Sequence, residues 1–352
     1  MAGFGGDDIA HQLKLMASFP DGQKPTGGST MKLLNIASAF LLTSFVAVPA
    51  FAQDVDRPEC IAPAQPGGGF DLTCRIAQQG LEKQFNGPMA VTFMPGGIGA
   101  VAINLFNTTR TDDPNAIVAF SSGSLLNMAT GKYGEWGAND VRFLATAGTD
   151  YGAVIVKADS PYQTLGDLMA ALEKDPASVV MGAGGSVGSQ DWMKAAILLK
   201  SKDVDPKKMR YVAFDGGGEA IAGLLGGSIQ VYFGDVGEMV SHVGTGEMRI
   251  LAALSPERLP DPFADVPTAQ ELGYDAEWPI VRGYYMGKNV SSEAYSQWVE
   301  AFKAAYGTDE WATLVKDKGL LPLNLSGEEM DADMKKRVER MAGIAKEAGL
   351  IE

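Results

Sequence analysis

Short apolar runs alternate along most of the chain with segments of helical periodicity. This alternation predicts an α/β fold in which helical crossovers connect the strands of a sheet. The strand candidates are residues 60–62, 90–94, 116–120, 142–147, 153–157, 179–182, 210–214, 229–233 and 249–253. The helix candidates are residues 71–84, 97–107, 164–174, 189–200 and 218–225, and from Ser291 onward the pattern is helical to a last helix ending near Gly349.

Two segments, residues 148–152 and 278–285, look like crossings between lobes. Two crossings place one lobe in residues 53–150 plus 279–352 and the other in residues 151–278. Each lobe is then expected to be a Rossmann-like sheet flanked by helices. A pair of crossings makes a hinge, with the ligand bound between the lobes.

Residues 31–52 have the pattern of a secretory signal peptide. Met31-Lys32 precedes an apolar core, and small residues at Ala50 and Ala52 mark a cleavage site after Ala52. The apolar run is shorter than the ~20 residues that a membrane span needs. Residues 1–30 form a Gly-rich N-terminal extension without periodicity, either a misassigned start or a cytoplasmic segment. The sequence therefore predicts a periplasmic protein.

The net charge of the chain is −14, and residues 1–52 carry equal numbers of lysines and aspartates, so the mature chain keeps this charge. So acidic a protein is a poor partner for nucleic acid or an anionic membrane surface. His242 is the one histidine that remains after cleavage, which removes most zinc sites. No metal and no cofactor are expected.

Glycine-rich loops that run into helices are the candidate binding chemistry. Bare backbone amides and the positive end of the helix dipole favour an anion there. The first loop supplies Pro66, Gly67, Gly68, Gly69, Phe70 and Asp71, and a later one supplies Gly184, Gly185, Ser186, Val187 and Ser189. Further candidates are Ser124, Tyr151, Asp215 and Asp235. Helix capping is an equal alternative for Ser124 and Asp215.

Residues 184–188 also match the Gly-x-Ser-x-Gly pattern of a hydrolase nucleophile, and Ser186, Asp235 (or Asp215) and His242 follow in hydrolase order. However, the one available base, His242, falls in a helical segment rather than a loop after a strand. A helix-capping or exposed histidine is the preferred interpretation, and no catalysis is predicted.

Cys60 and Cys74 are the two cysteines of the chain. An exported protein enters an oxidising compartment, where such a pair can form a disulfide. Cys60 lies on the first strand and Cys74 in the first turn of the helix that packs over it. We therefore predict a bridge that holds both ends of the first glycine loop, with two buried free thiols as the alternative.

Motifs spread over the chain carry a family resemblance: residues 59–64, 66–74, 94–97, 124–127, 148–152, 188–194, 209–214 and 278–283. Through them the chain resembles the periplasmic receptors of the tripartite tricarboxylate transporters, the Bug family, and within it the citrate-binding TctC type.

The resemblance implies a two-lobed periplasmic binding protein, type II-like, that is a monomer without catalysis or cofactor. Its ligand would be a small organic acid anion, a di- or tricarboxylate such as citrate, held by the loops 66–71 and 184–189. Delivery would be to the integral membrane permease subunits of the transporter. A carboxylate sensor that signals to a membrane kinase is the alternative.

Overall fold

The computed structural model describes residues 55–243, 245–347 and 351. The predicted extension, signal peptide and cleavage site lie outside these residues, as does the predicted end of the last helix near Gly349.

Nine strands form one mixed sheet within the described part of the chain. They are β1 (Glu59–Ala62), β2 (Ala90–Phe93), β3 (Ala116–Ser121), β4 (Val141–Lys157), β5 (Val180–Gly184), β6 (Arg210–Phe214), β7 (Val231–Asp235), β8 (Met248–Ala253) and β9 (Pro279–Gly287). The strand order is β2-β1-β3-β9-β4-β7-β5-β6, and β8 also pairs with β4. The neighbours β1, β2 and β3 are parallel, as are β5, β6 and β7, so helical crossovers connect each set.

Strand β4 joins the two halves of this sheet. Its residues up to Tyr151 pair with β9, and its residues from Gly152 onward pair with β7. We call the strands β2-β1-β3-β9 with the start of β4 the first half, and β8, β7, β5 and β6 with the end of β4 the second half.

The prediction of two separate strands at residues 142–147 and 153–157 was wrong. The Gly-rich segment between them looks like a loop in sequence, yet antiparallel pairing with β9 satisfies its backbone groups. A register shift between Thr146 and Gly148, where Gly148 has a φ of 146°, absorbs the irregularity. The segment 278–285 is likewise mostly strand, as β9.

Ten α-helices cover the sheet or follow it in the described residues: α1 (Gly69–Gly80), α2 (Ala100–Thr108), α3 (Ser122–Ala129), α4 (Leu165–Lys174), α5 (Gln190–Lys200), α6 (Gly217–Leu225), α7 (Val240–Val243), α8 (Ser292–Tyr306), α9 (Asp309–Asp317) and α10 (Gly327–Glu347). Local sequence sets several of their starts. Thr164 and Asp167 form the predicted capping box of α4, and the Ser189 side chain caps α5. No helix among the described residues is both long and apolar enough to cross a bilayer.

Cys60 and Cys74 form a disulfide, as predicted, with a Cα–Cα distance of 5.5 Å. The bond joins β1 to the first half of α1. Both cysteines are fully buried, and the loop between the two elements carries Gly67 and Gly68. The bridge therefore holds both ends of this loop.

We expect the double variant Cys60→Ala and Cys74→Ala to be less stable by roughly 3 kcal/mol, because the lost bridge closes a short loop in the unfolded chain. Urea unfolding with and without reductant measures this. The wild-type midpoint should fall in reductant, while that of the double variant should not move. Two alkylatable thiols in unreduced protein from the periplasm would contradict the bridge.

Candidate functional site

Four α-helices begin at one cavity between the two halves of the sheet. Helices α1 and α3 reach it from the first half, and α5 and α6 reach it from the second. The cavity is small, about 50 Å³. Its lining is Gly69, Phe70, Ile98, Ser121, Gly123, Asn127 and Arg282 on one side and Gly184, Ser189, Gln190, Asp191, Gly216, Gly217, Asp235 and Glu238 on the other. The positive ends of these helices all favour negative charge at this place.

A buried ionic cluster lies at the base of the cavity, with Asp235 at its centre. Arg282, on β9, donates from Nη2 to Asp235 Oδ2 at 2.5 Å and from Nε to Asp150 Oδ2 at 3.0 Å. Lys194, on α5, donates to the other oxygen of Asp235 and to Asp191 Oδ1. All five side chains are largely or completely buried.

The pKa values in this cluster follow from burial and pairing. Burial raises the pKa of Asp150 and of Asp191 above the ordinary value. Burial acts in the same direction on Asp235, but the charges of Lys194 and Arg282 hold its pKa below the ordinary value. Asp235 is therefore the carboxylate that stays ionised between the two cations.

Glu238 carries a carboxylate into the N-terminus of α1. Its Oε1 accepts a hydrogen bond from the Gly69 amide at 2.6 Å, and its Oε2 accepts from the Tyr232 hydroxyl and from the amide of Asp235. Burial raises the pKa of Glu238 to about 7, and the nearby charge of Asp235 adds to this shift. Glu238 thus occupies the position that the glycine loop offers to an anion.

Other loop amides also have carboxylate partners within the chain. The Gly67 amide donates to Asp71, the Gly184 amide to Asp191, and the Ile98 amide to Asp215. The contacts from Gly69 to Glu238 and from Ile98 to Asp215 cross between the halves of the sheet. The loop amides that the sequence marks as anion donors are thus partly satisfied by the chain's own acids.

The predicted site residues fall into two groups. Five line the cavity: Gly69, Phe70, Gly184, Ser189 and Asp235. Outside the lining lie Pro66, Gly67, Gly68, Asp71, Ser124, Tyr151, Gly185, Ser186, Val187 and Asp215.

The residues outside the lining have structural roles or lie elsewhere on the protein. Ser124 completes the capping box of α3, and Asp71 forms an ion pair with Arg75. Tyr151 faces a separate cavity, which it lines together with Pro279. Ser186 and Val187 are exposed.

The close approach of the halves depends on Gly68. A Cβ atom on Gly68 would lie 2.7 Å from the amide nitrogen of Gly218, at the start of α6. Gly68 itself has a φ of −100°, so its importance lies in this backbone contact and not in its own dihedral angle.

The hydrolase geometry receives no support, because His242 lines a different cavity together with Met248 and Pro262, whereas Ser186 is an exposed loop residue.

Sequence reasoning missed Asp150, Asp191, Lys194, Glu238 and Arg282. Two local signals were available. Glu238 stands three residues after Asp235, which is capping-box spacing. Arg282 interrupts an otherwise apolar strand, where a charged residue requires a partner.

We expect the Glu238→Gln variant to flatten the pH dependence of stability. A raised carboxyl pKa means that the folded state holds its proton longer than the unfolded state, so wild-type stability falls as pH rises from about 4.5 to about 7. The loss is at most roughly 3 kcal/mol over this window. Urea unfolding at intervals from pH 4.5 to pH 8 measures it. Glu135→Gln, at an exposed position, is the matched control, and parallel curves for wild type and Glu238→Gln would refute the assignment.

Comparison with known proteins agrees with this architecture. Residues 73–350 match the family model described as the tripartite tricarboxylate transporter family receptor. The chain is 24% identical to protein BugT of Bordetella pertussis, over 90% of this chain and 98% of that protein. It is 25% identical to an Agrobacterium vitis protein from the ttuE-ttuC' intergenic region, over 88% of this chain and 91% of that protein.

Solved structures show the same fold. The periplasmic binding protein BugD superposes with a TM-score of 0.73 at 18% identity, covering 83% of this chain and 97% of BugD. MatC from Rhodopseudomonas palustris, solved with bound malate, superposes with a TM-score of 0.68 at 17% identity, covering 82% of this chain and 98% of MatC. A second Rhodopseudomonas palustris protein, solved with adipate, gives a TM-score of 0.72 at 18% identity over 83% and 97% of the two chains.

These neighbours confirm the predicted α/β fold of a two-lobed periplasmic binding protein. The family match covers most of the chain and confirms the resemblance seen in the sequence. The chain belongs to the receptor family of the tripartite tricarboxylate transporters.

Proposed function

We propose that this receptor captures a small di- or tricarboxylate in the cavity between the two halves of the sheet and delivers it to the membrane permease of a tripartite tricarboxylate transporter. The observation that carries the proposal is the convergence of four helix N-termini and Arg282 on one cavity. Helix N-termini bind carboxylates without needing a surplus of positive side chains. The relatives solved with malate and adipate are in keeping with such a ligand.

The size of the cavity bears on which acid binds. A volume of about 50 Å³ has room for a few water molecules, since one water needs roughly 10–15 Å³ by this measure. A ligand must therefore enter with the halves apart and be enclosed as they approach. Four-carbon acids need less widening of the cavity than citrate, so they are the better candidates within the class.

The place of action follows from the same proposal. The family's receptors are periplasmic, and residues 31–52 have the pattern of an export signal. We propose that the chain is cleaved after Ala52 and acts as a monomer in the periplasm. Binding without turnover fits a cavity whose charged side chains are held in a fixed ionic cluster.

Thermal and calorimetric titration of the purified protein tests the proposed ligand class. Succinate, malate, citrate and tricarballylate are the test acids, with a sugar and a monoamine as controls. An acid present at about a hundred times its Kd should stabilise the fold by about 2.7 kcal/mol. Tight binding of the sugar or the amine, with no response to any acid, would overturn the proposal.

We expect the Gly68→Val variant to bind the acid at least tenfold more weakly. The valine side chain meets the backbone of Gly217 and Gly218 and so keeps the two halves from closing on the ligand. The backbone angles of Gly68 suit valine, so the variant should still fold, with a lower melting temperature because its contact with Gly217 and Gly218 is lost.

Gly87→Val is the matched control, because a Cβ atom there has no neighbour within 4 Å. Its Kd should equal the wild-type value. An unchanged Kd in Gly68→Val would show that this contact is not needed for ligand capture.

A further inference from the structure

The side-chain oxygen of Gln190, which lines the cavity, is a hydrogen-bond acceptor without a partner in the described structure. The residue is 8% exposed and lines the cavity wall, and its Oε1 is buried without a hydrogen-bond partner. Its Nε2 donates to Asp191 Oδ1 at 3.4 Å. A buried polar atom without a partner is costly, so it calls for an explanation.

The orientation of this amide is fixed by its neighbour. If the two ends of the side chain were exchanged, Oε1 would face a carboxylate oxygen of Asp191, and two acceptors would oppose each other. The amide therefore points its nitrogen at Asp191 and its oxygen elsewhere.

The side chain of Gln190 starts at the boundary between the halves. Gln190 is the first residue of α5 and packs against Gly123 of α3, across the boundary between the halves of the sheet. A Cβ atom on Gly123 would lie 3.2 Å from the Gln190 Cβ. The acceptor is thus held at the interface that closes on a ligand.

The charged groups around Gln190 do not supply a donor to it. Lys194 donates to Asp191, Asp235 and the Gly234 carbonyl, and Arg282 donates to Asp150 and Asp235. Glu238, the remaining acidic side chain of the lining, has its partners in the amides of Gly69 and Asp235 and the Tyr232 hydroxyl. The cavity therefore holds a buried acceptor that a donor on an entering molecule can satisfy.

We propose that the ligand carries a hydrogen-bond donor, a hydroxyl or an ammonium group, close to its carboxylates, and that Gln190 Oε1 accepts from it. This inference rests on the proposed function and narrows it to hydroxy or amino acids of the di- and tricarboxylate class. Gln190 is then a specificity residue. An analogue that lacks the donor leaves the acceptor unpaired, which a site built for hydrogen bonding penalises strongly.

Matched ligand pairs test the inference. Succinate, malate and aspartate share a four-carbon skeleton and differ at one carbon, which bears hydrogen, hydroxyl or ammonium. Tricarballylate and citrate form the corresponding pair of tricarboxylates. We expect wild-type protein to bind a donor-bearing acid about tenfold or more tightly than its unsubstituted partner. Comparison of malate with aspartate distinguishes the hydroxyl from the ammonium group.

The variant Gln190→Met, close in length and volume, should reduce this ratio to within about threefold. Gln190→Leu serves as a second variant. A purely structural role would weaken both members of a pair alike.

The outcomes separate the two proposals. Equal affinity for both members of every pair in wild-type protein overturns the inference and leaves the proposed function standing. Discrimination that survives in Gln190→Met overturns the role of Gln190. Failure of every acid to bind overturns the proposed function and the inference together.

Discussion

The carboxylate of Asp235, shared between Arg282 and Lys194, is the interaction on which the site depends. It links the end of β7 to β9 of the first half and to α5 of the second. Removing one member of a buried ion pair leaves an uncompensated charge and commonly costs about 3–5 kcal/mol, whereas the intact pair contributes little net stability. The cluster therefore fixes the relative position of these elements more than it strengthens the fold.

This arrangement explains how the halves of the sheet can be held together and still separate. Three polar contacts cross the boundary: Glu238 with the Gly69 amide, Asp215 with the Ile98 amide, and Asp235 with Arg282. Interfaces of this polar kind favour relative movement of the parts they join.

The sequence predicts the local features of this fold and misses those that depend on distant partners. Thr164 and Ser189 predict the starts of α4 and α5 correctly, because an N-cap side chain bonds to the backbone of residues that lie within four positions of it in the sequence. The disulfide was also predictable, because strand and helix adjoin in sequence. The continuity of β4 was not, since its central residues are strand only by pairing with β9, more than a hundred positions away. The ionic cluster was missed for the same reason: Asp150, Lys194, Asp235 and Arg282 come from four separated segments.

The glycine loops show how far the binding site could be predicted from the sequence. The sequence places bare amides at helix starts but cannot say what satisfies them, and here Glu238 and Asp191 already accept from Gly69 and Gly184. An entering carboxylate that displaced Glu238 would take over its hydrogen bond from the Gly69 amide. Selectivity among such acids then depends on polar groups that the chain leaves unsatisfied. All acids of this class share the carboxylate contacts. A polar group without a partner in the chain, such as Gln190 Oε1, can therefore distinguish between similar acids.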